Sequence, residues 1–281
     1  MNYEPLRRLV LTDEVSRTLF TEFAAHRGTE RGDEETGWLL LGLRSTDEAL
    51  ALATLPVGTE RNASATHVWL NTSAQALGAH IVRQGGKQLQ LLGVVHTHPG
   101  SLRHPSDGDY RSDIAWVPTL RGGEGIFGIG TTDAKTHRPP GVAWQPEPSV
   151  QCWGELCLSW YGLRAGDRNY RRLPVELTMG PDLALPLRPV WEELDANADR
   201  LLRLSLQLNR VNFGVVEGRE KPALLVKVPL PDPGRAIQVM MEGKELRYLL
   251  VDGGEPLLAD IREVFVDQGV YLLLSELASK A

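Results

Sequence analysis

Two histidines, His96 and His98, close an apolar run that begins at Leu91. Successive strand side chains point to opposite faces, so Leu92, Val94, His96 and His98 share one face of a strand. Two imidazoles projecting into one space make a ligand pair for zinc. Pro99 ends strand pairing directly after them. Beyond the following loop, Ser106-Asp107-Gly108-Asp109 reads as a helix start with Ser106 as N-cap, which sets the Asp109 carboxylate in the first helical turn. A catalytic zinc takes three protein ligands and keeps one position open for water. His96, His98 and Asp109 supply three.

These residues need a sheet and helices to hold them. Residues 6–11 predict a first strand. Thr12-Asp13-Glu14 then opens a helix with acids in its first turn, an apolar face of Val15, Leu19 and Phe23, and a stop at Gly28. The polar stretch 27–35 is a loop, and strands follow at 36–43 and 49–57, so Glu35 stands where a strand begins. Gly58 to Ala65 reads as a polar turn, Val68-Trp69-Leu70 as a short strand, and Asn71 or Thr72 as the cap of a helix running to about Gln84 and ended by Gly85-Gly86. After the histidine strand comes a helix from Asp107 to about Trp116. Strands are expected at 126–131, 142–144, 150–163 and 170–177, with a turn at Arg138-Pro139-Pro140. The fold class is α/β (α+β), a mixed sheet flanked by helices.

Composition shifts at Met179-Gly180-Pro181, which divides the chain into residues 1–178 and a smaller α+β domain of residues 179–281. There, Trp191, Leu194, Ala198, Leu201, Ser205 and Leu208 predict one long helix over 189–209. Strands are expected at 223–230, 236–241 and 246–251, a helix at 256–266, and either type at 270–277.

A hydrophobic fraction of 42% with 23% charged residues is that of a soluble globular chain. A net charge of -6 argues against a nucleic-acid surface. The sequence shows no apolar run of membrane-spanning length, and its first residues lack a secretory pattern. Cys152 and Cys157 are too few for a disulfide framework, and in an apolar strand they are expected to be buried thiols. These features point to the cytoplasm.

The joint pattern is Glu35-Thr36-Gly37, then His96-Thr97-His98-Pro99, then Pro105-Ser106-Asp107-Gly108-Asp109. It resembles the JAMM (JAB/MPN) zinc metalloprotease family, whose signature is an upstream glutamate, His-x-His and Ser-x-x-Asp, and a bacterial deubiquitinase-like member in particular. The resemblance covers residues 6–177 in element order. Trp38 departs from the small residue often found there and is expected to fill space near the site. The resemblance implies an MPN/JAB-type sheet and Zn2+ held by His96, His98 and Asp109. It implies Glu35 as general base and then acid, and Ser106 as the hydrogen-bond donor to the oxyanion. It further implies cleavage of the amide after the C-terminus of a ubiquitin-like protein, by deconjugation or precursor maturation. The partners would be that protein or its conjugates, with activating or conjugating-type enzymes alongside, as in bacterial antiphage systems; neither nucleic acid nor membrane is expected. The alternatives are a peptidase that processes sulfur-carrier proteins and a non-catalytic MPN scaffold, although scaffold members typically lack the ligands kept here.

Plainer roles compete at each position. The histidine pair alone also reads as a polar strand end, Glu35 alone as a solvated charge, and Ser106-x-x-Asp109 as a simple capping box, a role compatible with the other. His104 is expected to be a solvated loop residue. Asp113, one turn after Asp109, is either an outer partner of the site or solvent-facing. Asp107 is the poorer ligand. Gly123 to Gly128 matches a dinucleotide fingerprint by letters but leads into a strand, which removes its mechanism. The segments 58–72 and 121–140 flank the site in order and are expected to form a substrate groove.

Overall fold

A computed structural model describes residues 3–57, 71–85, 88–98, 100–134 and 142–279. The expected turn and strand between Gly58 and Leu70, the Gly86 helix stop, Pro99 and the Arg138-Pro139-Pro140 turn lie outside the described residues, as does most of the expected substrate groove. No helix among the described residues is long and apolar enough to cross a membrane.

In chain order the elements are β1 (Arg8–Thr12), α1 (Asp13–Arg27), β2 (Gly37–Arg44), β3 (Glu48–Pro56), α2 (Thr72–Arg83), β4 (Gln90–Thr97), α3 (Asp107–Trp116), β5 (Glu124–Thr131), β6 (Ala143–Glu147), β7 (Val150–Trp153), β8 (Leu156–Arg164), β9 (Arg171–Arg172) and β10 (Val175–Thr178). They continue with α4 (Trp191–Ala196), α5 (Ala198–Gln207), β11 (Asn212–Val216), β12 (Ala223–Pro229), β13 (Ala236–Glu242), β14 (Glu245–Asp252), β15 (Glu255–Leu258) and α6 (Val266–Ser279). The fold is α+β: a curled mixed sheet flanked by helices and a separate antiparallel sheet.

The first unit is built from described residues within 3–57 and 88–185. Its sheet has the order β10-β1-β3-β2-β4-β5-β8-β7-β6, with β9 on β8. The pairs β1–β10, β1–β3 and β4–β5 are parallel. The two ends of the sheet come together where Val175 N–H donates to the Pro148 carbonyl at 2.8 Å and Gln145 donates to the Val175 carbonyl at 2.9 Å. One face carries α1 over a core that includes Leu9, Leu19, Phe23, Trp38, Val95 and Trp160. The other carries α3 over Phe127, Ile129 and Tyr161.

The second unit is built from described residues within 71–85 and 186–279. Its meander runs β11 to β15 in sequence order, all antiparallel. The division departs from the expected 1–178 and 179–281 in two places. Helix α2 packs on α4, α5 and β11, and Asn71, which caps it, donates to Asp195 at 2.9 Å. The first unit runs on to Leu185 because buried Asp182 accepts from the Thr54 N–H and hydroxyl, and Leu183 N–H donates to the Leu52 carbonyl.

Several other expectations are corrected. The long helix over 189–209 is broken at Asn197, whose φ of −114° lies off the helical region, so α4 and α5 are separate. The expected helix at 256–266 begins instead as β15. Gly253 and Gly254, both at positive φ, turn the chain so that β15 pairs with β14. The single strand over 150–163 is a hairpin of β7 and β8, and its turn makes Cys152 and Cys157 direct register partners with Cα atoms 4.2 Å apart. They form a disulfide, not the expected thiol pair.

Candidate metal centre

The centre is built where β4 ends beside the start of β2. In their antiparallel register Gly37 faces His96, and Thr97 N–H donates to the Thr36 carbonyl at 2.8 Å. Glu35, buried to 7% exposure, comes two residues before β2, and its charge acts on His98. Trp38 lies on the opposite face, where its Nε1–H donates to Glu22 of α1 at 2.6 Å, so the expected filling of space near the site is corrected. His98 N–H donates to the Gly130 carbonyl at 2.8 Å, which fixes the strand end against β5.

His96 Nε2 and His98 Nε2 stand 3.0 Å apart. Asp109 Oδ1 lies 3.4 Å from the first and Oδ2 3.3 Å from the second. Zinc bonds of 2.0–2.1 Å to N and O place tetrahedral ligands roughly 3.3–3.4 Å apart, so the donor set fits a zinc-sized divalent ion. Among the described residues, these three form the group that could hold a metal. His98 Nδ1–H donates to the Leu102 carbonyl at 2.9 Å, which leaves the Nε2 lone pair for a metal.

Asp109 is placed by a capping box. Ser106 Oγ accepts from Asp109 N–H at 3.2 Å, and Asp109 Oδ2 accepts from Ser106 N–H at 2.6 Å. Helix α3 buries no residue completely; Tyr110 and Trp116 meet Tyr170 and Phe127 edge to face instead. Asp113 is half-buried and not a solvent-facing acid: it accepts from the Tyr170 hydroxyl at 2.7 Å and from Trp116 Nε1–H at 3.3 Å.

The electrostatics suit a cation. Burial opposes charge on Asp109, yet its bonds to both imidazoles hold its carboxyl far below the ordinary range. Burial also opposes charge on His98, but Asp109, the Leu102 carbonyl and the charge of Glu35 outweigh it and raise its pKa. Burial pushes the Asp113 carboxyl up to about 6.

The other sequence candidates are not part of the cluster. Asp107 and His104 are exposed, and His104 Nδ1 lies 3.0 Å from the Tyr161 hydroxyl. The Gly123–Gly128 stretch enters β5, as expected, and among the described residues the next element is β6 and not a helix. Sequence reasoning quoted Gly37 without giving it a packing role, and missed the Leu102 carbonyl. A glycine inside an apolar strand run was the available signal for the first; the second had none.

The curled mixed sheet and this His-His-Asp group define a domain with a candidate metal centre at one strand end. The family described as prokaryotic homologs of the JAB domain matches residues 16–145. That stretch of the chain is similar to the JAB domain, which is consistent with a JAB/MPN family member. A solved structure, the solution structure of protein DSY2949 from Desulfitobacterium hafniense, matches with 17% identity and a TM-score of 0.40, covering 62% of this chain and 95% of that one. No curated protein matches.

Proposed function

We propose that this protein is a zinc-dependent isopeptidase or peptidase that cuts the amide after the C-terminus of a ubiquitin-like protein. The observation that carries the reading is Glu35, a buried carboxylate whose charge acts on His98, one of three metal-type ligands gathered together. Bound zinc would supply Lewis acidity and lower the pKa of water to about 7. Glu35 then takes the proton from the attacking water and delivers it to the leaving amine. Ser106 Oγ spends a lone pair on Asp109 N–H and keeps its own O–H, which is available to the developing oxyanion.

The ubiquitin-like substrate, the activating and conjugating partners, the antiphage setting and the cytoplasmic location rest on the family resemblance. The reading is tested by incubating zinc-loaded protein with ubiquitin-like fusions, with and without chelator, and measuring intact mass. Cleavage at the fusion junction that chelator stops and zinc restores is expected. Intact fusions throughout would leave the scaffold alternative.

A further inference from the structure

The loop from Gly100 to Pro105 carries contacts that the ligands themselves do not need. Arg103 Nε donates to both oxygens of Asp133, at 2.9 and 3.0 Å, and its Nη2 reaches the Asp133 carbonyl at 3.4 Å. Asp133 is itself held by the Thr131 hydroxyl, 2.7 Å away at the end of β5. On the other side, the Tyr161 hydroxyl of β8 donates to the Arg103 carbonyl at 2.7 Å. A hydroxyl has one proton, so His104 Nδ1–H must donate to Tyr161 in turn. Residue 103 is thus tied to the sheet through both its side chain and its carbonyl. The carbonyl one residue earlier, that of Leu102, is the one that receives His98 Nδ1–H.

We infer that Arg103, Asp133 and Tyr161 form a positioning clamp that holds the Leu102 carbonyl and, through it, the tautomer and ring orientation of His98 for the metal. Packing does not do this work, because Leu102 is 52% exposed. Polar tethers from two rigid strands do it instead. An outer partner of this kind fixes which imidazole nitrogen faces the ion. The inference rests on the metal reading above and deepens it.

The test measures zinc affinity by competition with a chromophoric chelator and the visible spectrum of the cobalt(II)-loaded protein. The variants are Arg103→Ala, Tyr161→Phe and, as a control, His98→Ala. Arg103→Ala and Tyr161→Phe are each expected to weaken metal binding about tenfold or more. Each should also shift the cobalt spectrum while the metal-free thermal midpoint stays close to that of the parent. Parent-like affinity and spectrum in folded variants overturn the clamp, even where His98→Ala loses the metal. Affinity lost only in step with a collapsed metal-free midpoint, in both variants, assigns a merely structural role and also overturns it. A parent protein that binds no better than His98→Ala defeats the metal reading, and the clamp with it.

Discussion

Gly37 and His96 face each other across the β2–β4 ladder so closely that a β-carbon on Gly37 would lie 3.3 Å from that of His96 and 2.7 Å from the Val95 carbonyl. The strand carrying the histidines can approach β2, which follows Glu35, only because this position has no side chain. Gly37→Ala should therefore destabilise the metal-free protein by about 1–3 kcal/mol, as overpacking does, and weaken metal binding. Denaturant unfolding and metal titration check both; parent-like values in both would show that the ladder yields at no cost.

On the proposed function, Glu35 transfers protons and does not hold the metal. Glu35→Gln keeps the shape and removes the base, so metal content should stay at the parent level while turnover falls by about 10²–10⁴. Elemental analysis beside a cleavage assay separates the two properties. A zinc-loaded Glu35→Gln protein that still turns over would contradict the role.

The N-cap role of Ser106 and the donor role proposed for it can be separated by substitution. Ser106→Ala loses the N-cap, at a cost of about 1 kcal/mol, whereas Ser106→Gly loses only a few tenths. Both lose the hydroxyl, so both should cut kcat by about 10²–10³. If the loss of rate tracked the loss of stability, the donor role would be wrong.

The Asp113 carboxyl is pushed from 3.8 up to about 6, chiefly by burial. The folded chain therefore keeps a proton that the unfolded chain releases. Stability from this group is present below about pH 4, falls as pH rises towards 6, and stays reduced above that. Asp113→Asn in metal-free protein should raise the thermal midpoint at about pH 8 and change it little at about pH 4. A larger loss at the higher pH would reverse the sign of this account.

The local parts of the centre were legible because they obey short periods. Strand alternation puts His96 with His98, and the capping-box spacing puts Ser106 with Asp109. Glu35 was reached through the family pattern; alone it reads as a loop charge. The rest depends on distant partners that no local signal announces. Tyr170 meets Asp113, and Asp133 meets Arg103, only after the sheet has formed. The same holds for the fold: α2 sits between β3 and β4 in sequence yet packs with α4 and α5. The helix expected from Pro256 became β15 because a two-glycine turn offered its backbone a partner strand.

The central claim is that His96, His98 and Asp109 hold one divalent ion. Elemental analysis of purified parent and His96→Ala protein tests it most directly. One equivalent of zinc per chain in the parent, lost in the variant, is the predicted result; metal absent from both, or present equally in both, would contradict it.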